Sequence, residues 1–198
     1  MNRAEQLLAE VRKEWAPPIK QSVSEWADKH LYLSPEYAAE SGKWTTLSFQ
    51  REPMDCISGS DVWQVVIRSC TQLLKTSVIQ AAIGWAIDVD PGPILVVLPR
   101  DQDAKKFSQE RIAPMIRDTP RLTDKVAADK SRNSGNTIEE KWFRGGILAM
   151  TSASVPANLA RRATRYLFCD EEDKWEASAG VEGKPFALAL KRTATFRH

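Results

Sequence analysis

Several things are scarce in this 198-residue chain, and each scarcity removes a class of protein. Three cysteines, Cys56, Cys70 and Cys169, are an odd number with no CxxC spacing, which excludes a disulfide framework and a cysteine zinc site and fits a reducing compartment. Charge of one sign is also missing: the formal net charge is +2, so any contact with nucleic acid has to come from local clusters and not from the whole surface. The longest apolar-rich run, Val78 to Ile87, is interrupted by Gln80 and falls well short of the roughly 20 residues of a membrane span. Charges at Arg3 and Glu5 break up the N-terminal start, which does not read as a secretory signal. The expectation is a soluble protein of the cytoplasm.

With 42% hydrophobic and 27% charged residues the composition is that of an ordinary globular domain, long enough to bury a core. Ala4, Leu7, Leu8, Val11 and Trp15 recur at helical spacing, predicting an amphipathic helix over residues 3–15 that Pro17-Pro18 stops. Ser22-Val23-Ser24-Glu25 reads as a capping box, opening a second helix with Val23, Trp26, Ala27 and His30 on one side and His30 a packed or capping histidine. Residues 1–45 are therefore expected to form a short helical appendage, and residues 46–198 the main domain.

In that domain Val62, Val65, Val66 and Ile67 suit a strand covered on both faces, and a helix with a broad apolar stripe starts near Lys75. Ile94 to Leu98 is the next buried strand, and Asp101 and Asp103 then mark a helix start whose apolar face Pro114 interrupts. Residues 121–136 turn polar and read as a surface loop with a possible phosphate-contacting role. Residues 137–143 and 147–151 flank Arg144-Gly145-Gly146 as a hairpin or as two sheet segments around a tight turn, Ser152 to Ala160 is a loop or short helix, and an apolar run from Tyr166 ends in Asp170-Glu171. The alternation of strands and helices predicts an α/β fold with a mainly parallel sheet flanked by helices.

Two motifs carry chemistry. Lys75-Thr76 at a helix start has the identity and order of a phosphate-binding loop, in which lysine neutralises the outer phosphates and the hydroxyl holds Mg²⁺. The loop before it lacks glycine: the pattern GxxxxGK[ST] asks for glycine where Ser69 and Leu74 stand. Asp170 and Glu171 lie at the C-terminal end of a strand, where ligands gather in open α/β sheets, suited to holding Mg²⁺ and to orienting and deprotonating an attacking water. The bland alternative for this pair is a solvated acidic turn, extended by Glu172 and Asp173. Phe49-Gln50 could stack on and hydrogen-bond an adenine base, or be a core residue beside a helix cap.

Longer strings narrow the choice. Leu33-Ser34-Pro35-Glu36, Ser41 to Trp44, Gln50 to Asp55, Gln72 to Thr76, Asp90 to Val97, Arg111 to Pro120, Ser131 to Thr137, Ser154 to Ala160, Asp170 to Asp173 and Lys191 to Phe196 together resemble the large terminase subunit of tailed phages, the lambda-type DNA-packaging motors. The resemblance implies a P-loop ATPase that uses ATP and Mg²⁺ to drive double-stranded DNA into a procapsid, with a small terminase subunit, a portal protein and a homo-oligomeric ring as partners. It implies Gln50, Arg68, Gln72, Lys75 and Thr76 as ATP-binding residues, Asp170 and Thr76 as Mg²⁺ ligands and Glu171 as the catalytic residue, with Arg68, Arg161, Arg162 or a neighbouring subunit as sources of transition-state charge. Such motors commonly carry deviant phosphate loops. Relatives continue beyond Phe196 into a coupling strand and a nuclease, so the chain is expected to be the ATPase part, with no nuclease assigned to it. The alternative from another class is a non-hydrolysing module for structure or for DNA and partner binding.

Overall fold

The computed structural model describes residues 21–36, 41–70, 75–126, 137–178 and 183–196. The expected helix over residues 3–15 lies outside these residues.

Helix α1 (Val23–His30) starts as the sequence predicts. Ser22 Oγ accepts the Glu25 N–H and the Glu25 carboxylate accepts the Ser22 N–H, a complete capping box. The helix buries Val23, Trp26 and Ala27, and half-buried His30 packs its ring 6.2 Å from that of Trp26. Burial, with the Arg121 charge nearby, pushes His30 below its ordinary pKa, as befits a packing residue. A two-residue antiparallel pair, β1 (Tyr32–Leu33) and β2 (Gly42–Lys43), leads to helix α2 (Ser48–Ile57), tied to α1 by Arg51, which donates to Ser24 Oγ and to Asp28.

Helix α3 (Lys75–Asp88) is buried nearly all round from Val78 onward, Gln80 and Asp88 included. Such a helix belongs between layers and not on a surface. Its Gly84 admits the Trp26 ring: a Cβ there would stand 2.5 Å from Trp26 Cη2. At its C-terminal end the fully buried Asp88 carboxylate accepts the Trp26 indole N–H at 2.7 Å and pairs with Arg121 at 3.0 Å and with Lys125. Lys125 also donates to the Asp88 carbonyl at 2.8 Å, serving one of the free acceptors of a helix end.

The main sheet has the order β4-β5-β3-β6. Strand β3 (Ile94–Leu98) pairs in parallel with both β5 (Gly146–Ser152) and β6 (Tyr166–Cys169), and β4 (Glu140–Phe143) adds antiparallel to β5 through the predicted tight turn, where Gly145 takes φ +93°. All five β3 side chains are buried, because both faces are covered. Ile94, Val96 and Leu98 join the core under α1 and α3, while Leu95 and Val97 pack with Leu159 of α7 (Pro156–Leu159) and Leu188 of α8 (Pro185–Lys191). The fold is thus mixed α/β with a mostly parallel sheet between helices, as the alternation predicts.

After β3 the chain forms α4 (Asp101–Lys106), one wide π-helical stretch over Phe107–Ile112, α5 (Ala113–Asp118) and α6 (Pro120–Thr123). Pro114 has no N–H to donate and its ring would crowd the Glu110 carbonyl. The wide turn just before it, with the Ala113 N–H bonded to the Ser108 carbonyl, makes the room that an α-helical path would deny.

One expectation fails. Residues 62–67 form no strand: Val62 is 40% exposed, and Trp63 and Val66 are 72% exposed. Branched and aromatic side chains favour a pleated surface only where a neighbouring strand offers one. Among the described residues β6 borders β3 alone, and no ladder joins residues 62–70 to the sheet.

Candidate active site

The C-terminal ends of β3, β5 and β6 lie on one edge of the sheet, as parallel pairing requires. At β6 the Asp170 N–H donates to the Val97 carbonyl at 3.0 Å, extending the ladder by one residue and holding the Asp170 backbone in place. The residue as a whole is 9% exposed, and its Oδ2 accepts the Thr76 hydroxyl at 2.9 Å. Two motifs 94 residues apart therefore meet, the second residue of α3 against the residue that follows β6. Lys75, half-buried beside it, donates Nζ to the Ser69 carbonyl at 3.3 Å.

Burial is the main influence on Asp170 and pushes its pKa up. The Thr76 hydrogen bond and the Lys75 charge oppose this, while Glu171's charge adds to it. A buried carboxylate so short of positive charge is suited to a cation. Thr76 and Asp170 offer only oxygen ligands, the donor set of Mg²⁺, which takes one or two protein groups and leaves the rest of its sphere to phosphate and water. No group of three or more His, Cys, Asp or Glu residues placed to hold a metal occurs among the described residues, so a dedicated protein cage is absent there. The two residues fit a metal shared with a phosphate ligand.

Glu171 adopts φ 50°, ψ 43°, the one non-glycine residue with positive φ among those described. A left-handed backbone costs a side-chain-bearing residue roughly 1–2 kcal/mol, and such strain gathers at functional positions. The chain folds back at once in a 3₁₀ turn over Glu172–Lys174, where Lys174 Nζ meets Glu171 Oε1 at 2.6 Å and the Trp175 indole donates to the Asp170 carbonyl at 3.1 Å. Nothing in the sequence motifs singled out Lys174 or Trp175; their spacing from the carboxylates, i+3 and i+5, was the available signal. On the same edge Ser152, at the end of β5, donates to Asp101 at the start of α4 and lies 2.8 Å from the Ser154 hydroxyl.

Gln50 turns out to be buried in the first turn of α2. Its Oε1 accepts the Leu47 N–H at 3.1 Å, and its Nε2 is buried without a hydrogen-bond partner. Phe49 beside it is 52% exposed. Arg68 is exposed, and Gln72, with Thr71 and Leu74, lies outside the described residues. Arg161 and Arg162 precede the N-terminal end of β6, the far end of the strand from Asp170. There Arg162 pairs with Glu140 at 2.9 Å and lies over the Trp142 ring. They do not join Lys75 and Asp170 within this chain. Cys169 packs under the sheet edge, its thiol pushed up to about 12 by burial, and stays protonated.

A family model for the ATPase domain of the phage terminase large subunit gpA matches residues 38–198. The chain is 27% identical over 176 residues to the terminase large subunit of Escherichia phage lambda, covering 88% of this chain and 28% of that protein. It is 26% identical over 176 residues to that of Enterobacteria phage P21, covering 88% of this chain and 27% of the relative. The chain thus spans 27–28% of the length of these relatives.

Proposed function

The chain belongs to the family of phage terminase large subunit gpA ATPase domains, and from that premise we propose that it binds ATP with Mg²⁺ and hydrolyses it to power translocation of double-stranded DNA into a procapsid. The observation that carries this reading is the Thr76–Asp170 hydrogen bond, which joins the two halves of a nucleotide site across 94 residues of sequence.

In this reading residues 46–198 are the ATPase core. The start of α3 receives the phosphates, because its first-turn N–H groups and dipole favour negative charge. Lys75 exchanges its 3.3 Å bond to the Ser69 carbonyl for a phosphate oxygen. Thr76 and Asp170 hold Mg²⁺, which when bound offsets charge on the phosphate oxygens. Glu171 orients the attacking water and accepts its proton. Gln50 supplies the adenine contact: a buried amide donor without an acceptor costs about 1–3 kcal/mol, and an adenine ring nitrogen would satisfy its Nε2. Arg68 and Gln72 complete the set of ATP-binding residues. The DNA, the small terminase subunit, the portal and a homo-oligomeric ring are the partners of this reading, and the host cytoplasm is its place of work. No helix of the described residues is long and apolar enough to cross a membrane.

A second reading is a non-hydrolysing structural or binding module. Non-glycine residues at Ser69 and Leu74, and the absence of a sheet partner for residues 62–70 among those described, favour it. Calorimetry with Mg-ATP separates the two. Loss of the Lys75 ammonium removes a charge-assisted hydrogen bond, so Lys75→Ala is expected to weaken binding about 10- to 100-fold. No binding by the folded chain, or equal binding by the variant, would sink the ATPase reading in favour of the second.

A further inference from the structure

Among the described residues the Glu171 carboxylate does not meet Lys75 or Thr76; it contacts Lys174, three residues on, at 2.6 Å. The Lys174 N–H also donates to the Glu171 carbonyl at 2.8 Å, so backbone and side chain of the same residue close on Glu171 together. Trp175 pins the preceding carbonyl of Asp170, and its own N–H donates to the Glu172 carbonyl at 3.1 Å. Residues 170–175 are therefore a small closed loop built around one strained residue. Lys174 has Asp103 of α4 and Asp173 as further acidic neighbours, which keep its ammonium on this rim of the sheet.

We propose that Lys174 is a positioning residue that still clasps the Glu171 side chain once ATP is bound, releasing it only as the attacking water is engaged, and so restrains the turnover step. The inference rests on the reading of Glu171 as the group that orients the attacking water. The clasp is open to solvent, with the Lys174 and Glu171 side chains 59% and 43% exposed. Exposed pairs are weak because water competes for both partners. That weakness is what a releasable restraint needs: the attacking water can displace it as hydrolysis begins, whereas a buried pair would hold Glu171 permanently.

The test is steady-state ATP turnover by the protein, compared with Lys174→Ala, Lys174→Arg, Glu171→Gln and the Lys174→Ala/Glu171→Gln double variant. Removing the clasp should raise kcat about two- to five-fold, the range of an exposed pair, with KM unchanged. Lys174→Arg should restore the wild-type rate, and Lys174→Ala should have no effect in the Glu171→Gln background. A merely structural Lys174 would instead leave kcat the same or lower it, together with the melting temperature. If Glu171→Gln abolishes turnover while Lys174→Ala leaves kcat unchanged or reduced, the clasp is wrong and the role of Glu171 stands. A raised KM, as a lost phosphate contact would give, overturns the clasp in the same way. If Glu171→Gln retains turnover, or the unaltered protein turns over no ATP, the underlying reading falls and the clasp with it.

Discussion

The two ends of α3 are built to different standards. At the C-terminal end Asp88 is wholly buried and receives the Trp26 indole, Arg121 and Lys125, while Lys125 also serves the last carbonyl. At the N-terminal end Lys75 is half-buried with one long bond to the Ser69 carbonyl among the described residues, and Thr76 there has Asp170 as its side-chain partner. One end is finished by the protein itself; the other keeps donors that a ligand can claim. A helix fastened at its base can present a precise but unsatisfied tip, which is what a site for an anionic ligand requires.

Substitutions at the two ends should therefore differ in kind. The largest loss of stability is expected for Trp26→Ala, about 4 kcal/mol by urea unfolding, since it removes a fully buried ring and the Asp88 partner at once. Asp88→Ala follows at about 3 kcal/mol, the scale of a broken buried ion pair, and Arg121 and Lys125 can turn to water. The Asp88 site also carries a pH signature. Burial pushes this carboxyl up, but the hydrogen bonds from Lys125, Trp26 and Arg121 together prevail and hold it below the usual carboxylate range. A depressed folded-state pKa stabilises the fold above the ordinary carboxylate pKa of about 4 and loses that contribution as pH falls through the folded value. The stability gap between wild type and Asp88→Asn, measured at pH 7 and again near pH 3, should accordingly shrink in acid; a constant gap would refute the ionised cluster. The smallest effect is expected at the open end, where Thr76→Val should cost about 1 kcal/mol of stability. A loss there as large as that of Asp88→Ala would erase the contrast between the two ends.

What could be read in advance follows the range of the interactions concerned. The α1 capping box is written in four adjacent residues, Ser22 to Glu25, and the Gly145 turn in three, so both are legible as sequence. The all-apolar Ile94 to Leu98 run likewise announces a strand covered on both faces. The meeting of Thr76 with Asp170 was expected from the residue types that a phosphate and metal site would need at element ends, and of that expectation the structure shows the contact itself. Asp88 was not legible: its partners are 33, 37 and 62 residues away, and nothing nearby marks an acid at the end of an apolar helix as buried. The segment from Val62 to Ile67 misled for the opposite reason, since local preference there is strong and the neighbour that would realise it is missing among the described residues. Gln50 fell between its two readings: its Oε1 caps the helix start at Leu47, and its Nε2 remains unclaimed.

The seat of the Trp26 ring in the notch at Gly84 has a mechanical meaning. A flat ring held in a gap with no Cβ opposes both spin of the helix about its axis and sliding along it. Thr76 lies eight residues to one side of that notch, an arm of about 12 Å, and Asp88 four residues to the other, an arm of about 6 Å. The helix is thus keyed at Gly84 and tied down again at Asp88, so its Thr76 tip projects from two fixed points and not from one.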